Sequence, residues 1–79
     1  QLYPNPANKE LTISFETEDS DEYKVILYST LGKILFEERA ITTLRYKNTL
    51  DVSMLASGIY FIEVSSEKGK VLGKVTVNR

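Results

Sequence analysis

Apolar and polar residues alternate in short runs along most of this 79-residue chain, and a turn signal follows most of the runs. Alternation with a period of two is typical of a β-strand that buries one face. No segment shows sustained helical periodicity. Short strands with turns at short intervals predict an all-β sandwich or barrel. A domain of this size buries only about 60% of its unfolded surface, so its core is one thin apolar layer.

Six runs are predicted to be strands of a sandwich of about seven short strands, and Leu2–Pro6 is predicted to be a kinked, extended lead-in. The runs are 11–15, 23–28, 33–39, about 45–50, 59–64 and 71–77. Turns at 29–32 and 67–70 should close two hairpins, with Gly32 in a left-handed conformation. After the first turn, Ile34 and Phe36 are expected to point inward. In the last strand, Val71, Val75 and Val77 are expected to share one face.

The segments between these strands are less regular. The acidic stretch from Glu16 to Glu22 is predicted to be a solvated hairpin loop. Residues 40–48 are ambiguous and are interpreted as a loop followed by a strand. Asp51–Leu55 is predicted to form a short helical turn with Asp51 as its cap.

The spacing of Leu55, Gly58 and Tyr60 matches the Leu-x-x-Gly-x-Tyr pattern of a tyrosine corner. In such a corner a tyrosine near the start of a strand returns its hydroxyl to upstream backbone in a Greek-key sandwich. The alternative is an ordinary turn followed by a core tyrosine. In either case the motif is architectural and carries no chemistry.

The composition leaves little material for catalysis or metal binding. The chain has neither cysteine nor histidine, so thiolate sites and imidazole bases are excluded. Ser29, Ser53 and Ser57 therefore have no histidine to activate them. Asp51 and Glu63 could act as an acid–base pair, but a cap and a solvated strand face explain them more simply. We expect no cofactor and no enzymatic activity.

The remaining ligand classes are also disfavoured. The acidic residues at 19–22 lack the spacing of a calcium loop and are better explained as solvated. A net charge of −1 argues against nucleic-acid binding. No apolar run approaches the roughly 20 residues of a membrane span, so no direct membrane insertion is expected. Because the sequence opens at Gln1, we interpret residues 1–79 as one domain of a longer secreted precursor.

Several short motifs, taken in order, resemble the type IX secretion C-terminal sorting domain of Bacteroidota along essentially the whole chain. Each motif alone is weak, and the specificity comes from their order. Two departures are minor, since Ala56 replaces a frequent proline and Ser29–Thr30 stand where an acidic residue is common. The matching positions are Tyr3-Pro4-Asn5-Pro6-Ala7-Asn8, Leu11, Ile13, Val25 to Gly32-Lys33, Leu50-Asp51-Val52-Ser53, Leu55, Gly58, Tyr60, Val64 and a basic last strand.

The resemblance implies an immunoglobulin-like Greek-key β-sandwich that serves as a secretion signal. Such domains direct an attached cargo protein from the periplasm to the cell surface or the medium. The implied partners are the type IX translocon, its outer-membrane shuttle barrel, and a sortase-like cysteine peptidase that usually removes the domain.

The segment from Lys70 to Arg79 is the predicted docking element, because a terminal strand can pair with a partner strand. Its positive charges would help steering and register. In the simpler interpretation this strand only completes its sheet. The motif and recognition residues are Pro4, Asn5, Pro6, Gly32, Leu55, Gly58, Tyr60, Lys70, Lys74, Val75, Val77 and Arg79.

Two other functions remain open at this point. Aromatic residues at positions 3, 28, 46 and 61 could form the platform of a carbohydrate-binding or adhesion module. The domain could also be a passive spacer beside an enzyme.

Overall fold

The computed structural model describes residues 2–4, 7–16, 21–42 and 45–78. Within these ranges the regular structure consists of seven β-strands, without a helix. The strands are β1 (Leu2–Tyr3), β2 (Glu10–Glu16), β3 (Asp21–Ser29), β4 (Ile34–Thr42), β5 (Arg45–Asp51), β6 (Gly58–Ser66) and β7 (Gly69–Val77).

The strands form two antiparallel sheets that pack as a sandwich. The first sheet has the order β1-β2-β5 and the second the order β4-β3-β6-β7. The chain changes sheet after β2, after β4 and after β5, which gives the Greek-key connectivity of an immunoglobulin-like domain. The predicted fold class is therefore confirmed.

The core lies between the sheets and follows from the alternation of the strands. Leu11 and Ile13 point inward from β2, and Val25 and Leu27 point inward from β3. Burial of one such side chain stabilises the fold by about 1.5–3 kcal/mol. The largest fully buried side chains are those of Leu11, Ile13, Val25, Val52, Val75 and Val77.

The predicted hairpin between β3 and β4 is confirmed, but Ile34 does not face inward as predicted. Gly32 has φ +85°, as expected for a left-handed turn residue, and its N–H donates to the Ser29 carbonyl at 2.9 Å. A register shift follows, because Leu27 pairs with Phe36 whereas Tyr28 pairs with Ile34. Such a bulge reverses the facing of the residues beyond it. Ile34 therefore lies on the outer face and is 54% exposed, so its predicted inward position was wrong.

The hairpin between β6 and β7 is also confirmed. Ser66 pairs with Gly69 across a two-residue turn, and Tyr60 and Ile62 are buried. Val71, Val75 and Val77 share the inner face of β7, as the alternation predicts. Val75 and Val77 are buried, whereas Val71, nearer the turn, is 73% exposed.

The prediction of a hairpin loop at Glu16–Glu22 was wrong. Strands β2 and β3 belong to different sheets, so they do not form a hairpin. Residues 17–20 between them lie outside the described residues. Residues 21 and 22 already belong to β3. The predicted strand near 45–50 is confirmed as β5, whereas residues 40–42, predicted as loop, extend β4. Local alternation shows where strands lie, but it does not show which sheet a strand joins.

The prediction of a short helical turn at Asp51–Leu55 is replaced by a single non-helical turn. The Leu55 N–H donates to the Val52 carbonyl at 3.0 Å, and the Ser53 N–H donates to the Asp51 carboxylate at 2.9 Å. Asp51 thus has the capping role that its position suggested, in the two-residue geometry of an Asx turn. Val52 is buried and anchors this turn to the core.

Candidate functional site

The Leu55–Tyr60 motif forms a tyrosine corner, as its spacing predicts. The Tyr60 hydroxyl donates to the Ala56 carbonyl at 2.6 Å, and its ring is only 8% exposed. Leu55 packs against the core from the preceding turn. Gly58 begins β6 with φ +156°. The corner joins β5 of one sheet to β6 of the other, so these residues support the architecture.

We expect Tyr60→Phe to lower the free energy of unfolding by about 1–3 kcal/mol, because the substitution leaves a part-buried carbonyl without its donor. Chemical denaturation of the isolated domain measures this loss. Tyr3→Phe is a matched control, since Tyr3 is 37% exposed. Equal stability of both variants would show that the hydroxyl of the corner contributes nothing.

Strand β7 has an anchored inner face and a charged outer face. Val75 and Val77 are 1% and 2% exposed and belong to the core. Lys70 and Lys74 lie on the opposite face, and both are exposed. The Lys70 ammonium lies 3.9 Å from the Glu63 carboxylate, and the lysine side chain is 65% exposed whereas the glutamate side chain is 23% exposed. Arg79 lies outside the described residues.

One edge of β7 carries outward-facing backbone groups. The Ala7 N–H donates to the Thr76 carbonyl at 2.7 Å, and the Asn78 N–H donates to the Ala7 carbonyl at 2.8 Å. Thr76 and Asn78 therefore direct their backbone groups away from β6. Because these groups alternate along a strand, Lys70 and Leu72 also present N–H and C=O groups to this outer edge. Among the described residues, nothing pairs with the edge groups of Lys70 and Leu72.

The N-terminal segment lies beside the second half of β7 and connects the two sheets there. Ala7 is completely buried and forms a parallel bridge with Val77. Leu2 packs onto the bare backbone of Gly73, where a Cβ would lie 2.9 Å from Leu2 Cδ1. Pro4 is exposed and follows a cis peptide bond. Asn5 and Pro6 lie outside the described residues.

A groove of about 490 Å³ opens where this segment no longer covers β7. It lies between the β1–β2 side of the first sheet and the first half of β7. Most of its lining side chains are apolar, and the charged residues among those that line it are Glu16, Lys68 and Lys70. Glu16 also lies 4.0 Å from Arg45. The principal lining residues are Leu2, Phe15, Ile62, Val64, Val71 and Gly73.

The aromatic residues considered as a sugar platform do not form a single surface. Tyr46 is 7% exposed and stacks on Phe15 inside the sandwich, with ring centroids 4.9 Å apart. Tyr28 and Phe61 form a pair on the outer face of the four-stranded sheet, with centroids 5.8 Å apart. Both are partly buried. Tyr3 is exposed on β1, in the other sheet.

A polar cluster joins the two sheets beside β4 and β5. The Tyr46 hydroxyl donates to Glu38 Oε1 at 2.6 Å, and Asn48 Nδ2 donates to the same oxygen at 3.4 Å. Burial raises the pKa of Tyr46 to about 12, and the hydrogen bond to Glu38 adds to this increase. The two donors satisfy the carboxylate of Glu38, which points inward from the edge strand β4. An inward-pointing charge on an edge strand discourages edge-to-edge association between sheets.

The candidate catalytic and metal-binding residues are not assembled into a site. Asp51 ends β5 of the first sheet, whereas Glu63 faces outward from β6 of the second. Within the described ranges, no group of three acidic side chains could hold a metal ion. Of the acidic stretch considered for calcium, residues 19 and 20 lie outside these ranges. In the part of the chain that the structure describes, no helix is long and apolar enough to cross a membrane.

Comparison with known families fits this arrangement of strands and motifs. The model of the secretion system C-terminal sorting domain matches residues 1–78. The chain belongs to this family. The type IX sorting domain is a C-terminal secretion signal, and its family is not an enzyme family. A protein that carries the domain is secreted to the cell surface or the extracellular space. A search of the curated proteins gives no match.

The sorting-domain resemblance was therefore correct, but the sequence analysis missed the groove and the role of Ala7. Gly73 was the available signal for the groove, because a glycine inside a strand often marks the close approach of another segment. Ala7 had no comparable signal, since its burial depends on a parallel bridge to a residue seventy positions later.

Proposed function

We propose that this sorting domain directs an attached cargo protein across the outer membrane by docking through β7. The observation that supports the proposal is the open edge of β7 at Lys70 and Leu72, beside exposed lysines. Strand addition uses such backbone groups for affinity and the neighbouring side chains for specificity. Val75 and Val77 hold the strand in place from the core side, so the edge is presented on a rigid support.

The proposed partners are the type IX translocon and its outer-membrane shuttle barrel. In this proposal the chain is the last domain of a larger precursor that crosses the periplasm in a folded state. A sortase-like cysteine peptidase then removes the domain on the cell surface.

Fusion of residues 1–79 to an inert periplasmic protein is expected to bring that protein to the surface of a type IX-competent host. Surface labelling of intact cells measures the result. The matched control is the same fusion in a strain without a functional translocon, where the reporter should remain in the periplasm. Display in both strains, or in neither, would contradict the proposed function.

Carbohydrate binding is a second candidate because Tyr28 and Phe61 form an aromatic pair on an outer sheet face. Aromatic rings on such a face can stack against sugar rings. A glycan array with the domain tests this function, with Phe61→Ala as the matched variant. A hit that Phe61→Ala removes would favour a binding module, whereas a blank array would leave the sorting role as the better explanation.

A further inference from the structure

The free part of the β7 edge is short and has defined ends. It begins at Gly69, directly after the turn, and ends near Gly73, where Leu2 closes over the strand. Beyond that point Ala7 already occupies the edge at Thr76 and Asn78. At about 3.3 Å per residue, the open length accommodates a strand of roughly five residues.

The groove lies directly beneath this edge. Val71 points toward it from β7 and is 73% exposed, although the other inward-facing valines of the strand are buried. Phe15 and Leu2 line the opposite side. A strand paired with this edge would become the fifth strand of the second sheet. Its inward-facing side chains would lie in this groove.

The outward-facing side of an added strand would meet a different chemistry. Strand β7 carries Lys70 and Lys74 on its outer face and contains no acidic residue. Leu72 lies between them and is 57% exposed. Opposite charges on adjacent strands attract, so an acidic residue is favoured on the outer face of the incoming strand. Lys70 is 65% exposed in its ion pair with Glu63, so an acidic side chain of an incoming strand can also approach its ammonium.

We propose that the groove and the free edge of β7 together bind one extended segment of about five residues from an outer-membrane component of the secretion machinery. The segment has apolar side chains at alternate positions, which enter the groove, and at least one Asp or Glu between them, which faces the lysines. This inference rests on the proposed sorting function and specifies the ligand of the docking strand. The parallel pairing of Ala7 on the same edge is an intramolecular precedent for such an addition.

Leu72→Pro tests the pairing through the backbone. The Leu72 N–H points away from β6, so proline removes the edge donor and leaves the ladder with β6 intact. We expect Leu72→Pro to reduce surface display of the reporter fusion by about tenfold, because it removes a strand-pairing hydrogen bond and blocks close approach. Surface labelling measures the display, and the thermal midpoint of the purified domain should change by less than about 5 °C.

Leu72→Ser is the matched control, since it also removes the leucine side chain but keeps the N–H. We expect Leu72→Ser to lose no more than about twofold in display, a smaller loss than for Leu72→Pro, because the serine variant keeps the edge N–H and removes only the leucine side chain. Normal display of the folded Leu72→Pro variant would overturn the proposal, as would an equal loss in the serine variant. A loss of Leu72→Pro display through unfolding would appear as a large fall in the thermal midpoint. In that case a photo-crosslinking residue at position 71 replaces the Leu72→Pro variant as the test.

The crosslinking residue identifies the occupant, because Val71 is exposed and its side chain is at the groove. In secreting cells we expect a crosslink to a segment of the secretion machinery with alternating apolar residues and an acidic residue. A crosslink within the same precursor, a crosslink to a second copy, or a segment without this alternation would each overturn the inference. If the unsubstituted fusion itself fails to reach the surface, the proposed sorting function is wrong. Failure of the sorting function is thereby distinguished from failure of the segment-binding inference, for which the unsubstituted fusion still reaches the surface.

Discussion

Deletion of Val75 to Arg79 is expected to unfold the domain and thereby to abolish secretion of any cargo attached to it. The deletion removes two fully buried valines and the edge to which Ala7 binds. Each buried valine contributes about 1.5–3 kcal/mol. The two valines together contribute about 3–6 kcal/mol, against a total stability of about 4–12 kcal/mol for a domain of this length. The deletion also removes the strand that pairs with Gly58, Ile59 and Tyr60 of β6, which adds to this loss. Thermal unfolding followed by circular dichroism should show no cooperative transition.

The matched control is deletion of Asn78 and Arg79 alone. It leaves Val75 and Val77 in place and removes the Asn78 N–H bond to the Ala7 carbonyl. Loss of one such hydrogen bond costs about 0.5–1.5 kcal/mol, so a cooperative transition should remain at a lower temperature. A cooperative transition in the longer deletion would show that the end of β7 contributes little to the core.

This expectation changes how a secretion defect at the C-terminus is to be interpreted. Val75 and Val77 of the last strand are held in the core, so a truncation that removes them unfolds the domain and the docking edge is lost with the fold. A substitution that keeps the fold, such as Leu72→Pro, is therefore the stricter test of docking.

Features of the fold that depend on neighbouring residues could be predicted from the sequence, whereas features that depend on contacts between distant segments could not. Alternation is local, and it correctly indicated strands such as β2 and the buried positions Leu11 and Ile13. The tyrosine corner was also predictable, because Tyr60 and Ala56 are four residues apart. Sheet membership is decided by contacts between distant segments, and the segment between β2 and β3 was accordingly mistaken for a hairpin.

The candidate site was predictable only in part for the same reason. The sequence indicated the basic last strand and the shared face of Val71, Val75 and Val77. The approach of Leu2 to β7 had Gly73 as its local signal, but the groove beside it depends on contacts between segments that are distant in the sequence. Ile34 was misplaced because a single bulge after Leu27 reverses the facing of the next positions.

Gly58→Val is expected to destabilise the domain by about 3 kcal/mol, because a β-branched residue is strained at the φ of +156° found there. A Cβ at this position would meet no atom within 4 Å, so the cost comes from the backbone and not from a clash. Denaturant unfolding of the purified domain measures the loss.

Gly58→Ala separates the two possible causes. If the backbone conformation is responsible, alanine should also destabilise the domain, by about 1–2 kcal/mol. Stability equal to that of the unsubstituted domain in both variants would show that Gly58 can relax into an ordinary strand conformation. Because Gly58 lies between Ala56 and Tyr60, relaxation that displaces the Ala56 carbonyl would also break the corner hydrogen bond. The combined Gly58→Val and Tyr60→Phe variant should then lose less than the sum of the single losses, since both substitutions would remove the same connection between the sheets.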